Sequence, residues 1–213
     1  MVSEAHLLET LRRQRLLAIL RGPDRDALLR TGLTLIECGV SCLEVSLTSD
    51  DALGVITDLI AKSGHDALIG VGTVRSAEDA ARAREAGAQF AVTPGLGAGV
   101  AGARDAGLPV LGGALTPTEV LAASATCAAV KLFPASVGGP GYLRAVRDPL
   151  PDIPIVPVGG VDLDTVPAYL SAGALAVGVG SPLLGDSATT GDLTGLSRRA
   201  QAFRTAATQY DSS

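Results

Sequence analysis

Two apolar runs, Leu68-Ile69-Gly70-Val71-Gly72-Thr73-Val74 and Phe90-Ala91-Val92, frame the stretch that decides the fold. Between them Ser76-Ala77-Glu78-Asp79 has the spacing of a capping box, in which a serine and an acid three residues on satisfy each other's backbone donors. Arg84-Glu85-Ala86-Gly87 then ends in glycine, which adopts the left-handed conformation beyond a helix without a Cβ penalty. The stretch reads as strand, capped helix, glycine stop and strand. Both runs are apolar on both faces, as strands buried in a parallel sheet are.

The same unit recurs outward in both directions. Ile36-Glu37-Cys38-Gly39 precedes Cys42-Leu43-Glu44-Val45, Asp105-Ala106-Gly107 precedes Pro109-Val110-Leu111, and Ser171-Ala172-Gly173 precedes Ala176-Val177-Gly178-Val179. Thr116-Pro117-Thr118-Glu119 supplies a second capping box, with proline at the first helical position. The apolar runs place eight strands at about 16–22, 42–47, 68–74, 90–95, 109–113, 128–134, 154–160 and 176–181. A helical pattern follows each, and an extra helix near 3–14 precedes the first. Eight strand–helix units in 213 residues predict an α/β fold, a (β/α)8 TIM barrel with an extra N-terminal helix. An open, doubly wound sheet is the alternative. No linker, charge block or low-complexity segment divides the chain, so 1–213 reads as one domain.

Composition narrows the function. A net charge of −5 and 3% aromatic residues argue against a nucleic-acid or anionic-membrane binder, which needs a basic field or stacking platforms. No apolar run approaches the ~18 residues of a membrane span. Leu16-Leu17-Ala18-Ile19-Leu20 after Arg12, Arg13 and Arg15 is shorter than the ~7–15 apolar residues of a signal peptide. The expectation is a soluble cytoplasmic protein. Cys38, Cys42 and Cys127 are too few for a disulfide framework, and with only His6 and His65 to join them no metal site is expected; they read as buried, reduced thiols. Lysine occurs twice among 17 basic residues, at Lys62 and Lys131.

Barrels carry their chemistry at the C-terminal ends of the strands. Three ionisable residues fall in apolar runs there: Arg21, Glu44 and Lys131. Strand alternation turns Val130 and Leu132 toward the helices and Ala129, Lys131 and Phe133 inward; Cys42, Glu44 and Ser46 share the inward parity. A lysine in a strand core is either an ammonium paired with a buried carboxylate or a Schiff-base nucleophile, whose amine must be neutral to attack a carbonyl. Glu44 suits either case, as a counter-ion or as a proton shuttle for imine chemistry. Arg21 is a solvated strand terminus or a planar fork for a carboxylate or phosphate. The seventh and eighth strands end in Val158-Gly159-Gly160-Val161 and Gly178-Val179-Gly180-Ser181-Pro182, where barrels commonly hold a phosphate on backbone N–H groups. Gly97-Ala98-Gly99-Val100-Ala101-Gly102 matches a dinucleotide fingerprint, but it follows the fourth strand, and Glu119 belongs to a capping box.

Together these motifs resemble the KDPG/KHG aldolase family, class I aldolases of 2-keto-3-deoxy-6-phospho sugar acids. The likeness runs from about Leu16 to Leu184 through Leu17-Ala18-Ile19-Leu20-Arg21-Gly22, Gly72-Thr73-Val74, Val92-Thr93-Pro94-Gly95, Lys131-Leu132-Phe133-Pro134-Ala135 and the two glycine motifs. The resemblance implies Lys131 as the Schiff-base lysine and Glu44 as the general acid/base. Thr73 would hold the pyruvate carboxylate, Arg21 an anionic end of the substrate, and Pro94 and Phe133 would line the pocket. Gly159, Gly160, Gly180 and Ser181 would cradle the phosphate. It also implies no cofactor or metal, a small phosphorylated keto-acid substrate and a homotrimer. Two positions depart from the gluconate-type pattern: Thr48 stands where many members have arginine, and Val158 where many have threonine. Val158 and Gly138-Gly139-Pro140-Gly141-Tyr142 look more like the phosphogalactonate (KDPGal) branch. A phosphate-binding barrel isomerase or synthase without Schiff-base chemistry is the alternative function, and a ligand-binding barrel without catalysis is a third.

Overall fold

In the computed structural model, which describes residues 2–65 and 67–208, eight parallel strands form one sheet. They are β1 (Leu16–Leu20), β2 (Cys42–Ser46), β3 (Leu68–Gly72), β4 (Ala91–Val92), β5 (Val110–Ala114), β6 (Ala129–Leu132), β7 (Ile155–Pro157) and β8 (Val177–Val179). The order β7-β6-β5-β4-β3-β2-β1-β8 brings β7 and β8 together at the two ends, where a single parallel bridge, Val158 to Gly178, joins them. The sheet is therefore a nearly closed barrel and not the open alternative. Every expected strand is present; seven are shorter than their apolar runs, and β5 keeps its length but starts one residue later. β4 is the shortest, two residues against the expected 90–95: the Thr93 N–H still reaches the Leu111 carbonyl, but Pro94 has no N–H with which to carry the ladder on.

Helices wrap the outside: α1 (Glu4–Gln14), α2 (Arg25–Glu37), α3 (Ala52–Ser63), α4 (Ala77–Glu85), α5 (Ala98–Asp105), α6 (Pro117–Ser124), α7 (Gly139–Arg147) and α8 (Val166–Ser171). Two short helices, α9 (Ser181–Leu184) and α10 (Ser187–Thr190), follow β8 before α11 (Leu196–Thr208). Both expected capping boxes form, at Ser76 with Asp79 and at Thr116 with Glu119. Gly39, Gly87, Gly107 and Gly173 all have φ between 72° and 92°, as their stop positions require.

Apolar side chains divide into two layers. Leu16, Ala18, Leu43, Val45, Val130 and Leu132 pack outward against the helices. Leu17, Ile19, Cys42, Leu68, Phe90, Leu111, Ala129 and Val156 fill the barrel interior. Leu7 and Leu11 of α1 join the interior layer with no exposed surface, so the extra helix plugs the N-terminal mouth and leaves the barrel open at its C-terminal end. Burying each leucine is worth roughly 1.5–3 kcal/mol. Gly70 makes room for the floor: a Cβ there would lie 2.5 Å from the Phe90 ring.

The cysteines depart in part from expectation. All three are free thiols, but only Cys42 is buried, whereas Cys38 and Cys127 sit in the half-covered shell over the outer helices and strand ends. Burial, and then the Glu44 charge, push the Cys42 thiol far up, so it stays protonated.

The dinucleotide-like glycines serve packing. A Cβ on Gly99 would lie 2.5 Å from the Val74 carbonyl oxygen, and one on Gly102 would run into the Ala77 backbone. These glycines let α5 lie tight against α4. Gly102→Ala gains about 1 kcal/mol of helix propensity but meets backbone that cannot swing aside, an overpacking penalty of roughly 1–3 kcal/mol. The expected net result is a lower urea midpoint; a rise would mean that α4 and α5 separate freely.

Candidate active site

Alternation along the strands delivers the chemistry to the open mouth. Val130 and Leu132 pack outward, so Lys131 between them points into the barrel, 7% exposed. Leu43 and Val45 do the same for Glu44, which is 2% exposed. Gly72 on β3 leaves the space the carboxylate occupies, since a Cβ there would lie 2.8 Å from Glu44 Oε1.

A cavity of about 570 Å³ opens above them. Its wall contains every residue singled out from the sequence: Lys131 and Glu44 at the base, Arg21, Thr73, Pro94 and Phe133 around it, and Val158, Gly159, Gly160, Gly180 and Ser181 on the β7–β8 side. The Lys131 Nζ lies 5.0 Å from the centre of the Phe133 ring, whose π face attracts a cation. Among the described residues no ion pair within 4.0 Å joins Glu44 to Lys131 or Arg21, although both cations act on the carboxylate across the cavity. Glu44 Oε2 is buried without a hydrogen-bond partner. Desolvation raises the Glu44 carboxyl above its ordinary 4.5, and the positive charges of Lys131 and Arg21 offset only part of that. A carboxyl with an unoccupied oxygen and a raised affinity for protons is equipped to take and return one.

The β7–β8 side is built from backbone. Gly159 and Gly160 have φ of 90° and 80°, and a Cβ on Gly160 would lie 2.5 Å from the Ser136 Cβ. This conformation leaves the N–H groups of Gly160 and Val161 without a protein acceptor among the described residues. Unmatched N–H groups beside a cavity suit an anion.

Sequence reasoning missed part of the wall. Thr48, noted only as a departure, stands on the rim, and Ala188 and Thr189 of α10 close one side. Nothing in the composition of 187–190 marks it as cavity wall; only the fold brings α10 there. Thr73 has φ 65°, which its residue type gives no warning of, since β-branched side chains rarely adopt left-handed backbone.

Comparison with known proteins now decides the family. A family model described as KDPG and KHG aldolase matches residues 7–198. The chain belongs to the KDPG and KHG aldolase family. It is 36% identical over 171 residues to the 2-dehydro-3-deoxy-6-phosphogalactonate aldolase of Escherichia coli, covering 79% of this chain and 83% of the relative. It is 38% identical over 152 residues to the 2-dehydro-3-deoxy-phosphogluconate aldolase of Pseudomonas aeruginosa, covering 70% and 69%. A solved native KDPGal structure superposes with a TM-score of 0.84 at 32% identity, covering 92% of this chain and 95% of that one. The protein is thus an aldolase, a lyase on a (β/α)8 barrel, and not the isomerase or synthase of the alternative reading. Among the aldolase's described residues no helix is long and apolar enough to cross a membrane.

Proposed function

We propose that the aldolase cleaves a 2-keto-3-deoxy-6-phospho sugar acid to pyruvate and D-glyceraldehyde 3-phosphate through an imine on Lys131. The observation that carries this reading is the pair of buried side chains in one cavity: the Lys131 amine and the Glu44 carboxyl with its unpartnered Oε2. The amine attacks the C2 carbonyl and water leaves, giving a protonated imine. Glu44 takes the proton of the C4 hydroxyl. The C3–C4 bond then breaks, with its electron pair passing to the imine nitrogen and leaving an enamine, while C4 departs as the aldehyde. Glu44 returns a proton to C3, and water releases pyruvate and the free lysine. The iminium charge and the Glu44 charge are lost together in the cleavage step, so neither is left uncompensated in the cavity.

Thr73 and Arg21 take the anionic groups near the reacting carbons, Pro94 and Phe133 shape the pocket, and Gly159, Gly160, Gly180 and Ser181 hold the phosphate. Pyruvate with borohydride should leave a reduced pyruvyl group on Lys131, found by peptide mass mapping. A label on Lys62, or none, would overturn the reading. For the phosphate, Gly160→Ala drives a Cβ toward Ser136 and disturbs the N–H pair. Losing one or two charge-assisted hydrogen bonds should raise KM for the phosphorylated substrate about ten- to a hundredfold. The pyruvate concentration needed for trapping should stay the same; an equal rise for both would mean general damage.

Val158 supports the galactonate epimer as the better substrate. Its methyl packs over Gly178, where a Cβ would lie 2.6 Å away, and it offers no hydroxyl to the C4 oxygen, the centre at which the two epimers differ. The relatives of both branches match at similar identity, so the comparison of initial rates on the two epimers is the test. The same reading has the enzyme act in the cytoplasm as a homotrimer of one barrel each, with no cofactor; a sedimentation mass of one chain would remove the trimer.

A further inference from the structure

Three hydroxyls meet beside the catalytic pair. Ser46 Oγ lies 2.8 Å from Thr48 Oγ1 and 2.8 Å from Thr73 Oγ1, and it also receives the Thr48 N–H at 3.4 Å. Ser46 is fully buried, Thr73 half-buried and Thr48 exposed on the rim. Both threonines line the cavity; Ser46 lies behind them.

Proton counting makes this cluster directional. A serine hydroxyl has one proton to give and two sites at which to accept. The Thr48 N–H occupies one accepting site, so one threonine donates to Ser46 and the other accepts from it. The threonine that accepts must aim its own proton elsewhere, and the cavity is the direction available to it. Thr48 can exchange its hydrogen bonds with water, whereas Thr73 is held by backbone in the left-handed region, a strained conformation for a β-branched residue that persists at functional sites. The order Thr48 to Ser46 to Thr73 therefore ends in a hydroxyl proton pointed at the substrate.

We propose that Ser46 is a positioning residue, which with Thr48 turns the Thr73 hydroxyl into an obligate donor to the carboxylate of the bound keto acid. The inference rests on the imine reading above. A chain of hydroxyls polarises along its length, so its last proton is a better donor than an isolated hydroxyl. Ser46 touches no substrate atom; it acts through Thr73.

The test compares two ketones in borohydride trapping at Lys131: pyruvate, and pyruvamide, which has the same carbonyl but no carboxylate. Ser46→Ala should raise the half-trapping concentration of pyruvate about tenfold, the worth of a hydrogen bond to a charged group, and leave pyruvamide unchanged. Ser46→Thr, which keeps the hydroxyl, should restore pyruvate trapping. In a Thr73→Val background the Ser46→Ala change should add nothing further. Thr48→Val, at the exposed head of the relay, removes a link without touching the buried strand and should give a smaller effect confined to pyruvate. Equal weakening for both ketones, or additive effects with Thr73→Val, would reduce Ser46 to a packing role. If the unaltered protein traps pyruvate at Lys131 while Ser46→Ala and Thr48→Val behave like it, the relay is wrong and the imine stands. If the unaltered protein traps nothing at Lys131, both fall together.

Discussion

Lys131→Arg should lower kcat/KM for aldol cleavage by at least about a thousandfold and abolish labelling by pyruvate and borohydride, with the fold intact. Arginine keeps the positive charge above the Phe133 ring and toward Glu44, but a guanidinium neither loses its proton nor forms an imine. If the lysine served only as a counter-ion, arginine would serve as well. The larger head must fit a position 7% exposed, so Lys131→Met, close in length and uncharged, gives a second reading free of crowding. Both variants should keep the circular dichroism spectrum. Retention of more than about a tenth of the activity by either would rule out lysine as nucleophile, since covalent catalysis does not survive loss of its nucleophile to that extent.

Glu44→Gln is expected to lower kcat by about a hundred- to ten-thousandfold, the usual share of a positioned acid/base group. Labelling at Lys131 should persist, because the amide leaves the amine and the carbonyl pocket in place. Stability should move the opposite way. The folded Glu44 carboxyl binds its proton more tightly than the ordinary 4.5 of an unfolded chain, so above that pH the native state holds more proton than the unfolded state. The contribution of this group to stability then falls as pH rises through the window above 4.5, and the penalty is full once the folded carboxyl has ionised. An amide has no such penalty. Unfolding in urea should find Glu44→Gln more stable than the parent at pH 8, with the gap closing toward pH 4. A variant less stable at every pH would mean that the carboxylate is held by partners and not merely desolvated.

Much of this was legible in the sequence, for reasons that differ between residues. Parallel strands buried on both faces write continuous apolar runs, so all eight could be placed, and the period of two fixed which way Glu44 and Lys131 point. Two capping boxes and four glycine stops marked helix ends because their chemistry is local. Strand ends were not legible in the same way: the Thr93 hydroxyl accepts the N–H of Gly113, twenty residues away, which no local propensity encodes. The left-handed backbone of Thr73 and the approach of α10 to the cavity likewise arise only from tertiary packing. The glycines of 97–102 could be set aside as a dinucleotide site by their place after the fourth strand, but their packing against Val74 and Ala77 arises only in the fold.

The single bridge between Val158 and Gly178 is the thinnest seam of the barrel, and the glycine loops flank it on both sides. A phosphate gripped by Gly160 from one side and Ser181 from the other would lace that seam shut. The substrate would then act as a removable stitch, tightening the ring only while there is something to cut.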